Sequence, residues 1–366
     1  MSDGALDYGN YLKVDEIISL QELVSEQHGK PAHIEMLYIV VHQVYELWFK
    51  EILHELGSVI EMFDGEYVNE KNIGEAVKRL KRITAIQSLL VEQIKVLETM
   101  TPLEFLDFRK YLGTASGFQS YQFRILENRL GLKPEERIPY AQKSYLQELS
   151  GKRLELVKES ENQTSMFEAI AAWLERTPFL ELSNFKFVEA YRAAANQMLD
   201  AESSALDSMH DLPQSAKTFQ QEAIDSSRKG FAAFLDFAEH ERLVSTGQRR
   251  LSFKATMAAL FINVYRDEPI LQLPFQLLET LVEIDENFTI WRSRHAVMVH
   301  RMLGRKVGTG QSSGYDYLKR TVDKYRVFTD LFNISTFLIP RSELPRLPED
   351  LKIELGFHYS ATKSGS

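Results

Sequence analysis

A bundle of long helices with a smaller helical insertion, all-α throughout, is the fold this sequence predicts, and three observations predict it. Glycine (18) and proline (11) are scarce in 366 residues. Both fall below their usual shares of ~7% and ~5%, which disfavours a chain of many short strands and tight turns. Three long stretches place apolar residues at steps of three and four, the period of an amphipathic helix. Hydrophobic residues make up 44% of the chain and aromatics 11%, enough to fill the core that such helices require.

The first long stretch runs from Pro31 to Phe63, with Val41, Val44, Tyr45, Trp48, Ile52, Leu56, Val59 and Phe63 on one stripe. The second runs from about Ile73 to Leu97 and stops before Thr101-Pro102. The third, Pro274 to about Gly304, aligns Phe275, Leu278, Val282, Phe288, His295, Val299 and Met302, with proline at its start and glycine just past its end, the order that helix termini favour. Between Leu132 and Arg250 the texture changes to shorter, more charged pieces (Ser165–Glu175, Asn184–Ser203, Phe219–Glu241). This gives an N-terminal part of the helical core over 1–131, an insertion or small subdomain over 132–250, a C-terminal part of the core over 251–341 and a tail over 342–366. The last residues, Ser360 to Ser366, are expected to be disordered. There is no internal repeat.

Charge and composition exclude several function classes. The balance of 43 basic against 52 acidic side chains gives a net charge of −9, with no basic run, so nucleic acid is not an expected partner. No cysteine is present, which removes disulfides, thiolate zinc sites, iron–sulfur clusters and thiolate-ligated haem. The N-terminus lacks a basic and apolar leader and no window of ~18 apolar residues occurs. A cytoplasmic protein, with no membrane partner, is the expectation.

Nine histidines are present and none pairs at the four-residue spacing of a helical zinc motif. His295 and His300 are five apart and point to different faces. A single histidine on an apolar stripe meets what an axial haem ligand needs, one neutral imidazole beside a large apolar slot. His42 and His295 both meet it, and both also fit as hydrogen-bonded core histidines. Two Gly/Ser/Thr segments, Leu112–Ser120 and Gly308–Gly314, follow long helices and lack the Walker pattern. They suit a small polar ligand or plain helix connections. In Phe105-Leu106-Asp107-Phe108-Arg109, an arginine among aromatics offers a planar fork to a carboxylate, unless it simply pairs with Asp107 at the surface.

Several longer motifs, in order, carry a resemblance. Tyr8-Gly9-Asn10-Tyr11-Leu12, the run from Val41 to Lys50, Leu97–Pro102, Ala115–Ser120, Trp291-Arg292-Ser293-Arg294-His295, Met302-Leu303-Gly304, Gly308-Thr309-Gly310 and Asp330–Asn333 resemble tryptophan 2,3-dioxygenase, in its animal-type form, over about Tyr8 to Arg341. The resemblance implies an all-helical homotetramer whose bundle encloses one haem b per subunit. It implies that the reaction inserts both atoms of O₂ across the indole C2–C3 bond of L-tryptophan to give N-formyl-L-kynurenine, the first step of the kynurenine pathway.

Carried over residue by residue, the resemblance makes His295 the axial ligand of the haem iron and His300 a bystander. It makes His42 the distal histidine beside the indole N–H, and Arg109 the carboxylate clamp. Thr309 falls at the amino-acid end of the substrate, and Phe105, Leu112 and Ser116 fall in the distal pocket. Tyr8 and Tyr11 match a pair that reaches in from a neighbouring subunit. Two positions depart from the pattern. Tyr38 stands where the family's aromatic is phenylalanine, bringing a hydroxyl towards the indole pocket, and Gln311 replaces a glycine of the Gly-Thr-Gly loop. Neither removes a catalytic group, though both bear on substrate choice. A haem mono-oxygenase acting on tryptophan, a substituted tryptophan or tyrosine is the alternative enzyme. A non-catalytic haem-binding sensor is the alternative of another class, and a bare haem store has no use for a carboxylate clamp.

Overall fold

The chain, in a computed structural model, is described over residues 6–65, 68–113, 115–139, 144–178, 180–182, 185–304 and 314–356. Thr309, Gln311 and the tail Ser360–Ser366 lie outside the described residues. The expected all-α class is observed: among the described residues the only strand pairing is a two-rung antiparallel ladder, Glu181–Leu182 against Phe185–Lys186. No described helix is long and apolar enough to cross a membrane.

The three long helices run Glu35–Phe63, Glu70–Leu97 and Gln272–Leu303. The first begins a turn later than the hydrophobic pattern suggests. Its first residue, Glu35, is buried, and its carboxylate accepts the backbone N–H groups of Val24 and Ser25, both at 3.0 Å. Those donors open the short helix Val24–Gln27, where free N–H groups otherwise lack partners. The third long helix ends at Gly304, whose φ of +58° is the left-handed conformation that glycine adopts without a Cβ clash.

Among the shorter pieces, Met166–Glu175 is set by a capping box in which Ser165 and Glu168 satisfy each other's backbone, a device worth ~1 kcal/mol per cap. The second piece is observed over Phe187–Ser208. The third, expected as one helix over Phe219–Glu241, is two, Gln214–Phe234 and Phe237–Ser245. The Asp236 side chain accepts the Glu239 N–H at 2.8 Å and starts a new helix. The apolar period continues across this break while the backbone restarts.

Two compact units emerge, each assembled from three sequence segments. The sequence texture divides the chain by composition at 131, 250 and 341, whereas these units divide it by contact. The first comprises 1–57, 82–163 and 286–326. Its core includes Val41, Tyr45, Phe49, Ile52, Ile86, Leu90, Ile94 and Phe288, all buried. Tyr45 donates its hydroxyl to the Leu90 carbonyl at 2.7 Å, and Gln93 donates to the Val41 carbonyl at 2.8 Å. These polar ties fix the register of helices that the apolar stripes alone would let slide.

The second unit comprises 58–81, 164–285 and 327–366. It is built around the helix Phe253–Val264, buried from Ala255 to Ile262. Two carboxylates anchor turns in it. Asp285 accepts the N–H groups of Val327 and Phe328 at 3.1 Å, and Asp330 accepts those of Arg250 and Leu251 at 2.6 and 2.7 Å.

His240 is fully buried in the second unit. Its Nε2 lies 2.9 Å from the Leu251 carbonyl, and its Nδ1 lies 3.2 Å from an Arg249 Nη. That pairing assigns the proton to Nε2, leaving Nδ1 to accept from Arg249. Burial holds the imidazole below its ordinary value, with Arg249 adding to the effect against the Leu251 bond and nearby carboxylates. A group whose folded value is depressed adds stability above its unfolded value, roughly 6.5, and loses it as pH falls, because only the unfolded chain then takes the proton. The urea midpoint is therefore expected to drop between about pH 7.5 and about pH 5.5, and His240→Gln to flatten that drop. An equally steep dependence in the variant would remove His240 from the account.

Candidate active site

A cavity of about 380 Å³ opens within the first unit, and all of its lining residues belong to that unit. Its walls are largely aromatic and aliphatic: Tyr45, Phe49, Phe123, Trp291, Met298 and Met302. Phe49, Phe123 and Trp291 pack on one another with ring centres 5.1 to 6.5 Å apart. Polar side chains also line it, among them His42, Glu46, Arg109, Ser116, Arg124 and His295, and such a mixed lining suits a ligand with a large apolar body and polar ends.

His42 enters from the Glu35–Phe63 helix. Its Nδ1 lies 2.7 Å from the Tyr38 carbonyl one turn earlier, so Nδ1 carries the proton and Nε2 keeps a free lone pair. Burial lowers its affinity for a second proton, against the Tyr38 bond and the charge of Glu46. The neutral, singly protonated form is thereby favoured.

His295 enters from the Gln272–Leu303 helix. It lies flat against Trp291 of the preceding turn, with ring centres 5.4 Å apart and 8° between planes. Enclosure by protein pushes its value down to about 4, with the charge of His42 contributing. The ring has no hydrogen-bond partner among the described residues, yet it retains surface towards the cavity. A neutral imidazole so exposed to an internal space is a ligand-ready base. Among the described residues no group of three or more His, Asp or Glu side chains is placed to hold a metal ion.

Arg109 ends the helix Pro102–Arg109, which starts with a Thr101–Glu104 capping box. Its guanidinium sits 5.9 Å from the Phe105 ring centre. The surface pairing with Asp107 that the sequence also allowed does not form: Asp107 is exposed, and Arg109 has no acidic partner among the described residues. A half-buried guanidinium without a counter-ion, facing a cavity, awaits an anion.

A buried ion cluster forms another part of the lining. Glu127 accepts from Arg124 and Arg292, each at 3.0 Å, and from Arg137. Although burial opposes ionisation, the arginines hold this carboxyl down at about 2. Of this cluster Arg124, Glu127 and Arg292 reach the cavity wall, which Glu46 also lines, whereas Arg137 does not. Sequence reasoning missed this cluster. Its members come from the helix Tyr121–Leu130, the segment after it and the Gln272–Leu303 helix, with Glu127 and Arg292 165 residues apart, and no local pattern announces such a meeting.

The sequence profile of the family described as tryptophan 2,3-dioxygenase matches residues 1–338. The chain belongs to the tryptophan 2,3-dioxygenase family. It is 47% identical to the tryptophan 2,3-dioxygenase of Alteromonas mediterranea, over 96% of this chain and 97% of the relative. It is 44% identical to that of Dictyostelium discoideum, over 96% and 88% of the two chains. It is 48% identical to tryptophan 2,3-dioxygenase B of Danio rerio, over 94% and 84%. Bacterial and vertebrate relatives are thus matched at about the same level.

Of the residues that resemblance to tryptophan 2,3-dioxygenases singled out, Tyr38, His42, Phe105, Arg109, Leu112, Ser116 and His295 all line the one cavity. Ser116 also caps the short turn Gly117–Gln119 by accepting the Phe118 N–H at 3.3 Å. His300 stacks on Tyr315 with centres 4.3 Å apart and is not among the lining residues. Tyr8 and Tyr11 do not line the cavity of their own chain. They lie on the five-residue helix Tyr8–Leu12, 76% and 69% exposed, and no residue of that helix is buried. Thr309 and Gln311, outside the described residues, are not placed.

Proposed function

We propose that this chain is a haem-dependent L-tryptophan 2,3-dioxygenase that uses O₂ to open the indole C2–C3 bond, giving N-formyl-L-kynurenine. The observation that carries this reading is the unpartnered Arg109 guanidinium in the same aromatic cavity as two neutral imidazoles. Haem b fits the residues present. His295 offers the iron one bare, neutral nitrogen, and the aromatic walls suit the porphyrin faces. The guanidiniums of Arg124 and Arg292 at the wall suit its two carboxylates. Haem bound there supplies activation of dioxygen at its iron.

The rest falls to the chain's own side chains. Arg109 binds the substrate carboxylate through two parallel N–H bonds, a geometry that lysine does not reproduce. His42 accepts the indole N–H at Nε2 and holds the ring in orientation. Its role is positioning, for which a neutral imidazole suffices. Phe105, Leu112 and Ser116 close around the indole and exclude water. Location in the cytoplasm goes with this reading. The decisive assay is anaerobic loading of reduced, haem-bound protein with L-tryptophan, followed by isotopically labelled O₂. Product carrying both labelled atoms is expected. Product carrying one atom would replace the reading by a mono-oxygenase, and no product at all would remove it.

A homotetramer belongs to the same reading. Tyr8–Leu12 is too short a helix to hold itself together, and it displays two large aromatics that are more often buried. Covered by a neighbouring subunit's pocket, Tyr8 and Tyr11 would complete the substrate site there. Deleting Met1 to Leu12 is then expected to leave haem bound and to raise the Michaelis constant for tryptophan. Mixing that truncated chain with full-length Arg109→Ala is expected to restore part of the activity, since a hybrid pairs an intact pocket with an intact N-terminus. Hybrids verified to form but without activity would confine the segment to its own subunit.

A further inference from the structure

Tyr38 lies one turn before His42 on the same helix, and its ring packs against three aromatic groups, of which His42 and Phe105 line the cavity. The ring centres are 4.1 Å from His42, 5.3 Å from Phe108 and 5.9 Å from Phe105. The ring is thus fixed by packing. Its hydroxyl has no hydrogen-bond partner among the described residues and is not sealed off in the core, while the residue lines the cavity. Burial pushes the pKa of this phenol up, against the charge of Arg109, so the phenol is near enough to feel the guanidinium and remains a neutral O–H donor at neutral pH. Two unsatisfied polar groups, a phenol and a guanidinium, therefore share one end of an otherwise apolar space around Phe105. Arg109 has donors and no acceptor, and a phenol beside a cation turns its oxygen towards it and its proton outward. A ligand group that satisfies both is one made of acceptors with negative charge.

We propose that the Tyr38 hydroxyl donates a hydrogen bond to the substrate carboxylate beside Arg109, making Tyr38 a determinant of selectivity for amino acids over their decarboxylated amines. This rests on the reading of Arg109 as the carboxylate clamp. A phenylalanine at this position keeps the ring packing and loses only the hydroxyl, so Tyr38→Phe isolates the bond.

The test uses haem-loaded protein and reads ligand binding from the shift in the haem absorption spectrum, with L-tryptophan, indole-3-propionate and tryptamine as probes. Tyr38→Phe is expected to weaken L-tryptophan and indole-3-propionate by about tenfold, the usual effect of losing a bond to a charged group, and to leave tryptamine within about twofold. In turnover the loss is expected in KM, with kcat little changed, which a general packing defect would not give. Equal weakening of tryptamine would show that the hydroxyl serves the pocket and not the carboxylate, and no weakening of any probe would show that it does not touch the ligand. Arg109→Lys, measured in parallel, separates the two ideas. If it weakens the carboxylate probes selectively while Tyr38→Phe does not, Tyr38 alone is overturned. If neither variant discriminates tryptamine from L-tryptophan, the carboxylate clamp itself falls.

Discussion

His295→Ala is expected to strip the protein of haem, or to leave it bound without its normal axial ligation, and to abolish turnover. The physical case is that His295 is the neutral imidazole whose ring has no hydrogen-bond partner among the described residues while facing the cavity. Its stacking on Trp291 fixes the ring orientation before any ligand arrives. The absorption spectrum of the reconstituted variant reads the outcome directly. His42→Ala is the control. Its imidazole is already tied to the Tyr38 carbonyl, so haem is expected to remain, with reduced but measurable activity. Loss of haem in His42→Ala and retention in His295→Ala would mean that the two faces of the cavity have been exchanged.

Arg109→Ala is expected to cost the next largest share of activity. It removes the unpaired guanidinium that faces the cavity, and losing a charge-assisted hydrogen-bonded pair typically costs ~1.5–3 kcal/mol, or roughly one to two decades in affinity. The loss is expected for L-tryptophan and not for indole, which has no carboxylate to bind. An equal loss for both, measured by equilibrium binding, would mark a folding defect. No loss for either would show that Arg109 serves some other anion.

Much of the fold was legible along the chain because its long helices are amphipathic. The stripe ending at Phe63, the stop at Leu97 before Thr101-Pro102 and the glycine terminus at Gly304 all appear where the apolar period and the capping residues place them. Some side-chain roles lie outside that pattern. Asp236 restarts a helix that the period alone would continue, and Glu35, an ordinary glutamate in the sequence, is consumed in capping Val24 and Ser25. Capping by a distant side chain leaves no mark in hydrophobic periodicity.

For the site, the sequence by itself determined which residue types were available: two histidines on apolar stripes, an arginine among phenylalanines, no cysteine to compete as a ligand, and motifs that assign the family. Read without those motifs, the residues leave His42 and His295 open between core and ligand roles, and Arg109 between clamp and surface pair. What each of these side chains meets was decided only by the tertiary structure, because whether a polar group finds a partner depends on what folding brings beside it. His42 spends one nitrogen on Tyr38, whereas His295 and Arg109 find no hydrogen-bond or ionic partner among the described residues. The Glu127 cluster, drawn from segments up to 165 residues apart, belongs wholly to the tertiary level. Charges so far apart in the chain act on one another only when folding brings them together in a medium that no longer screens them.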